Sequence, residues 1–436
     1  MESQGAECGE IVSFCGGLFR QLVTKRYDGS TKMLKGEDSM AGPLAGVRIL
    51  DCTTVVLGPW AAQQLGDLGA DVIKIEPPEG DTTRQLGPAR HPGMAAFYLG
   101  CNRSKRSIVL DLKQDSGRQA LFKLAETADV LMHNYRPDPA RRLGVEYEAF
   151  EKINPRLVYL ATYGYRSAGP MGPKAAYDDI IQAGSGLASL QTVVAGTPRF
   201  LPTIVADKTS SNGVVSALLA ALYAREKTGQ GQAVEVPMYE TLVSFVMVEH
   251  LYGETFLPAL DTAGYKRVLN KERRPYPSKD GYFALLPYTD NHWKEFCTLV
   301  GRPELAADAR FTSLGNRLKN VEQYYATLAE ICATRTNAEW VALLGKSNVP
   351  HGPVNTLDDL FVDPQLQATG FWKEVDHPTE GKLRMPDIPP RFSKTKPEVT
   401  RLQPRLGEHS VEVLKEAGFT AGEIDAMIAS GATKTA

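Results

Sequence analysis

The chain has no uninterrupted apolar stretch approaching the roughly 20 residues that a membrane-spanning helix needs. The nearest approach, residues 11–23, is broken by Arg20 and follows Glu2, Glu7 and Glu10 rather than a basic segment, which argues against a secretory signal. Cysteine pairs are also missing. Cys8, Cys15, Cys52, Cys101, Cys297 and Cys332 show no short spacing of the kind a zinc site or a redox motif uses, and a reducing compartment suits them. The seven histidines form no His-x-x-x-His or similar cluster, so no metal is expected. Charge of one sign is absent too: 49 Lys and Arg against 51 Asp and Glu leave a formal net charge of -2. That balance gives no electrostatic drive toward nucleic acid or an anionic membrane, and small-molecule partners are favoured.

Three motifs are missing as well. Where a nicotinamide dinucleotide fingerprint needs three glycines, the chain has Leu57-Gly58-Pro59-Trp60-Ala61-Ala62, in which Pro59 removes a donor and Trp60 adds bulk. Glu76 stands near the position of a ribose-binding acid, but without the glycines it does not make a dehydrogenase. There is no Gly-x-Ser-x-Gly elbow and no Walker lysine.

What is there is alternation. The runs Val47–Cys52, Asp71–Glu76, Ser107–Leu112, Asp129–Asn134 and Leu157–Tyr163 read as short buried strands, with helical patterns between them. This order predicts an α/β fold built on a parallel, doubly wound sheet. Helices are expected over Asp178–Leu190 and Asp207–Lys227, then a strand from Ala233 and a helix from Tyr239. At 436 residues two domains are expected. We read residues 1–41 as a leader or disordered arm, 42–256 as the large domain, 257–394 as a smaller α+β domain with its linkers, and 395–436 as a segment returning to the large domain. No internal repeat is evident.

One stretch poses a chemical question. In AAYDDIIQAGSG two adjacent carboxylates, Asp178 and Asp179, open a helical pattern. One acid suffices as a cap for the first free N–H groups; the second is available for chemistry. The segments GPLAGVRILD (Gly42–Asp51), LGADVIKIEPPEGD (Leu68–Asp81), NRSKRSIVLDL (Asn102–Leu112), HNYRPDPARRLG (His133–Gly144), YDDIIQAGSG (Tyr177–Gly186), TGQGQAVEVPMYE (Thr228–Glu240) and RLGEHSVEVLKEAG (Arg405–Gly418) occur in an order that resembles the class III CoA-transferase family, CaiB/BaiF type. The resemblance covers the chain from Gly42 to the C-terminal helix. Together with PYPSKDGYF (Pro275–Phe283), it is closest to members that move CoA between succinate and glutarate.

That resemblance implies a Rossmann-like large domain, an intertwined homodimer, acyl-CoA and small carboxylic acids as partners, and CoA thioester as a substrate with no tightly bound cofactor. It makes Asp178 the nucleophile, passing through an aspartyl anhydride and an aspartyl-CoA thioester, and leaves Asp179 a cap or bystander. The matching CoA-binding positions are Val55, Val56, Lys74, Asn102, Lys105, Arg106, Asn134, Tyr135, Arg136, Arg142, Tyr163 and Tyr165. Gly184 and Gly186 either present N–H groups to an oxyanion or permit close helix packing. A distal carboxylate on the acyl group needs a cation, for which Arg84, Arg103, Arg273 and Lys279 are candidates. The resemblance also implies a mitochondrial matrix location, with the cytosol as the alternative. Arg20, Lys25, Arg26, Lys32 and Lys35 suit a presequence, whereas the early glutamates do not. Two other functions remain: an acyl-CoA racemase of the same fold, which needs an acid/base pair across the α-carbon, and a non-catalytic CoA-binding protein.

Overall fold

Strands with apolar side chains on both faces pair best where helices cover both sides, and the chain does this with six short runs. They are β1 (Arg48–Cys52), β2 (Asp71–Glu76), β3 (Lys105–Val109), β4 (Val130–His133), β5 (Val158–Ala161) and β6 (Gln232–Glu235). In this computed structural model, which describes residues 42–436, they form one parallel sheet in the order β3-β2-β1-β4-β5-β6. The expected leader, residues 1–41, lies outside the described residues together with Cys8 and Cys15.

Alternation along each strand sends neighbours to opposite faces. Ile49, Val72, Val130, Val158 and Leu160 enter one core with the helices Leu57–Asp67, Asp178–Gly184, Val205–Thr228 and Met238–His250. Leu50, Ile73, Leu131 and Tyr159 enter the other, with the helix Asp115–Ala125 and the C-terminal helices Ser410–Glu416 and Ala421–Ala429. A third core lies within residues 276–349, around Phe283, Trp293, Phe296, Tyr324 and Trp340. A short antiparallel sheet (Tyr276–Pro277, Tyr282–Leu285, His351–Pro353) flanks that core, and the strands Trp372–His377 and Gly381–Pro386 form a hairpin.

Several boundaries differ from the sequence expectation for identifiable reasons. β3 starts at Lys105 rather than Ser107, because Lys105 and Arg106 are buried with carboxylate partners and extend a strand that their charge appeared to forbid. The helix expected over 178–190 ends at Gly184; Gly186, at φ 88°, takes a left-handed turn that an L side chain resists, and a separate helix follows over Leu187–Leu190. Residues 321–344 hold two helices, Val321–Cys332 and Asn337–Leu344. Thr336 caps the second by accepting from the Glu339 N–H, while the Glu339 carboxylate accepts from the Thr336 N–H.

The C-terminal segment is integral to the second core, and this generates a stability test. Leu414 is 0% exposed, so Leu414→Ala should cost about 2–5 kcal/mol and lower the urea midpoint without changing the slope. Leu357, 81% exposed, should tolerate alanine within about 0.5 kcal/mol. Equal midpoints for the two variants would contradict this packing.

Candidate active site

Strand order reverses between β1 and β4, and the loops leaving their C-terminal ends part there to open a crevice. Its volume is about 250 Å³. Thr54, Val55 and Leu57 line it from the end of β1, Asn134, Tyr135 and Arg136 from β4, and Thr162, Tyr163 and Gly164 from β5. The approach to the Asp178 helix contributes Lys174, Ala175, Ala176 and Tyr177; Asp207 and Met238 complete the lining.

Asp178 lies just behind this wall, between Tyr177 in sequence and Asp207 in space. Tyr177 is the N-cap of the helix Asp178–Gly184, and no side chain caps that end, so Asp178 does not serve its own helix as a cap. Its Oδ1 instead accepts the backbone N–H groups of Ala206 (2.7 Å) and Asp207 (3.1 Å), in the first turn of the helix Val205–Thr228. Oδ2 accepts from the Gln182 amide at 2.6 Å, and Gln182 is itself fixed by accepting the Leu201 N–H at 2.9 Å. The side chain is 6% exposed and has no cationic partner among the described residues. The first turn of the helix Val205–Thr228 therefore answers the charge with two N–H dipoles. Asp179, the adjacent acid, is exposed.

Asp207 is the second carboxyl of the site. Burial, then the Asp178 charge, push it up to about 6, and the Leu57 N–H opposes them. Nothing local in the sequence marked Asp207, which sits 29 positions from its neighbour. Lys174 was also missed, although it stands within the same GPKAAYDD stretch as Asp178. Lys174 and Arg136 are exposed cations of the lining, and neither has a carboxylate partner among the described residues. Arg136 donates to the Pro173 carbonyl at 2.8 Å.

Of the CoA-binding positions expected from the sequence, the crevice brings together Val55, Asn134, Tyr135, Arg136 and Tyr163. Tyr163 donates to Glu235 at 2.7 Å, and Asn134 clasps Thr54 with both amide atoms. The others are placed elsewhere. Val56 is buried at the start of the helix Leu57–Asp67, Tyr165 packs against Tyr239 in the core with ring centroids 5.5 Å apart, and Arg142 is exposed on the helix Pro137–Leu143. Lys74 and Lys105 are fully buried with their ammonium groups occupied. Lys74 pairs with Asp81 (2.9 Å) and donates to the Thr53 carbonyl; Lys105 pairs with Asp51 (2.9 Å) and donates to Asn102 and the Pro59 carbonyl. Arg106 fastens the C-terminal helix through Asp71, Glu412 and Glu416.

The four candidates for a distal carboxylate divide in the same way. Arg84 is buried against Glu76 through two hydrogen bonds of 2.7 Å, and Arg103 is buried against Asp67 at 2.8 Å. Arg273 and Lys279 are exposed and have no carboxylate partner among the described residues, but neither lines the crevice. Of the two glycines, Gly184 is at the far end of the Asp178 helix, about 9 Å along its axis. A Cβ there would lie 3.2 Å from the Tyr239 ring, which identifies Gly184 with close packing. The lining contains no histidine. His133, just before Asn134, is buried, accepts the Tyr135 N–H at Nδ1, and is lowered by burial to about 4.

Comparison with known proteins agrees with this geometry. The profile described as CoA-transferase family III matches residues 44–410. The succinyl-CoA:glutarate CoA-transferase of Mus musculus is 33% identical over 399 residues, covering 90% of this chain and 91% of its own. An acetyl-CoA:oxalate CoA-transferase of Acetobacter aceti is 33% identical over 379 residues, covering 86% and 96%. Among solved structures, a CAIB/BAIF family protein from Brucella suis superposes with a TM-score of 0.73 at 31% identity, covering 86% of this chain and 100% of that one. The chain belongs to CoA-transferase family III and is a CoA-transferase.

Proposed function

We propose that this enzyme transfers CoA from succinyl-CoA to glutarate through covalent intermediates on Asp178. The observation that carries the reading is a buried carboxylate beside the crevice that no cation among the described residues neutralises and that N–H groups hold in one orientation. The similarity to the Mus musculus enzyme supports this choice of acids.

The steps balance as exchanges of acyl bonds. An Asp178 oxygen attacks the thioester carbonyl, the C–S bond breaks, and CoA thiolate leaves behind a mixed anhydride. With cysteine as a proxy, thiolate is more basic than an ordinary aspartate carboxylate by about 4.6 pK units, or roughly 6 kcal/mol. Binding of the nucleotide and orientation of the acyl group must offset that difference. Thiolate then attacks the Asp178 carbonyl and releases succinate, leaving an aspartyl-CoA thioester. Glutarate attacks this thioester to give a second anhydride, and thiolate takes the glutaryl group, restoring the Asp178 carboxylate. If Oδ2 carries the acyl group, the Ala206 and Asp207 N–H groups face the oxygen on which charge develops.

The crevice is smaller than sites that enclose drug-sized ligands, about 300–1,000 Å³, so it takes one part of a CoA thioester while the rest lies over its open rim. Arg136 and Lys174 supply charge for phosphates there, and Tyr135 offers an aromatic face. The racemase reading is weaker because no histidine lines the crevice to pair with Asp178. Exposed Tyr223, Phe245, Val248 and Leu257 favour a homodimer. Sedimentation should give twice the chain mass, and a monomer at micromolar concentration would contradict it.

Incubation with succinyl-CoA and a panel of carboxylic acids should yield glutaryl-CoA as the preferred product. Asp178→Asn should lower kcat at least about a thousandfold while leaving CoA binding in place; unchanged turnover in a folded variant would overturn the mechanism. Arg273 and Lys279 keep free charge but lie outside the crevice, so alanine at either should change KM for glutarate and for a monocarboxylate equally; a rise about tenfold larger for glutarate would instead assign that residue to the distal carboxylate.

Asp207 gives a test of the carboxylate pair. Its folded-state value is raised from 3.8 to about 6, so the stability it contributes is present below pH 4 and is lost as pH rises through 6. The cost of ionising it is at most about 3 kcal/mol. Asp207→Asn should therefore match the parent in Tm near pH 4 and exceed it by a few degrees at pH 7.5. A pH-independent difference would show that Asp207 is not raised in the folded state.

A further inference from the structure

Val55 has φ 72°, a left-handed conformation that a β-branched residue strongly resists. It occurs where β1 runs into the helix Leu57–Asp67, at the turn that dinucleotide-binding sheets usually build from glycine. Strain of this kind persists only where surrounding contacts over-determine it. Here they are visible on both sides. Toward β4, Asn134 accepts from the Thr54 N–H at 3.1 Å and donates to the Thr54 carbonyl at 3.0 Å. Toward β2, both oxygens of the Asp81 carboxylate accept from the Val55 N–H at 3.3 Å.

Asp81 is itself anchored below the surface. It accepts from the Thr83 N–H at 2.9 Å and the Thr83 hydroxyl at 2.8 Å, and its backbone N–H donates to Glu76 at 3.0 Å. Lys74 closes the arrangement by pairing with Asp81 at 2.9 Å and donating to the Thr53 carbonyl at 3.0 Å, so one buried cation holds both the clamp and the turn it clamps. Thr54, Val55 and Leu57, all borne on this turn, form one wall of the crevice.

We propose that Asp81, held by Lys74, is a positioning residue that keeps Val55 in its left-handed conformation and thereby sets the crevice wall against which the CoA thioester binds. Lys74 then acts through Asp81 and Thr53 rather than by touching a phosphate. The inference rests on the reading of this crevice as the CoA thioester site, and it adds a specific route by which buried groups reach that ligand. Glycine adopts φ > 0 without the steric cost that valine meets, so a glycine at position 55 needs the clamp less.

The test is a cycle on the full chain. Removing one charge would strand its partner, so Lys74→Met and Asp81→Asn are made together, which keeps the buried charge balanced. In the parent background the pair should raise KM for the acyl-CoA about tenfold with kcat changed less than about threefold, as expected for losing a preorganised wall of order 1–3 kcal/mol. In the Val55→Gly background the same pair should raise KM less than about threefold relative to Val55→Gly alone. An equal rise in both backgrounds, or no rise in the parent, would overturn the inference. Should the pair fail to fold, Thr83→Val, which removes the hydroxyl bond to Asp81, is measured in the same two backgrounds; a smaller KM rise with Val55→Gly supports the route and an equal rise overturns it. Calorimetry with CoA alone on the unsubstituted protein separates the two levels: absence of binding sinks the reading of the crevice and this inference together, whereas normal binding with an equal rise sinks the inference only.

Discussion

A carboxylate that no cation neutralises is expensive to bury, and the site depends on how this chain makes Asp178 tolerable. It does so with dipoles. The Asp178–Gly184 helix starts at the acid, and the first turn of Val205–Thr228 turns two N–H groups onto Oδ1. An arginine or lysine partner would hold the charge in an ion pair; here N–H groups fix the direction of one oxygen, and among the described residues the other accepts from the Gln182 amide. Burial raises Asp207, and the charge of Asp178 beside it raises it further.

Beneath the crevice the logic reverses and cations do the work. Lys74 with Asp81, Lys105 with Asp51 and Arg84 with Glu76 are buried ion pairs near the C-terminal ends of β1 and β2, and Arg103 with Asp67 is a fourth, just before the start of β3. Buried pairs are weak evidence for stability, because desolvation offsets much of their attraction. Their additional hydrogen bonds point to a different role. Lys74 reaches the Thr53 carbonyl and Arg84 the Pro404 carbonyl, each pinning a loop, and Lys105 reaches the Pro59 carbonyl in the first turn of the helix Leu57–Asp67.

How much of this could be read in advance follows from the range of the interactions. The sheet was legible because Ile49 and Leu50, or Leu131 and Met132, are consecutive apolar residues in runs too short for anything but buried strands. Asp178 stood out as one of two adjacent acids opening a helical pattern, and its role as nucleophile is what the family resemblance implies. The partners of Lys105 and Arg103 were not legible, since Asp51 is 54 positions away and Asp67 36. A lysine in a binding-like segment looks the same whether it faces phosphate or a buried acid. Asp207 was invisible for the same reason: its meaning comes from a neighbour 29 positions earlier. The capping boxes at Thr336 and Thr420 have the local form Thr-x-x-Glu and start the helices Asn337–Leu344 and Ala421–Ala429.

The central claim is that an oxygen of Asp178 enters and leaves acyl bonds during turnover. Its most direct measurement is turnover with glutarate carrying oxygen-18 in both carboxylates, followed by mass analysis of the peptide that contains residue 178. Covalent catalysis predicts that the heavy isotope accumulates in that peptide, because each cycle exchanges one Asp178 oxygen for one from the incoming acid. Full turnover with an unlabelled Asp178 would contradict the account.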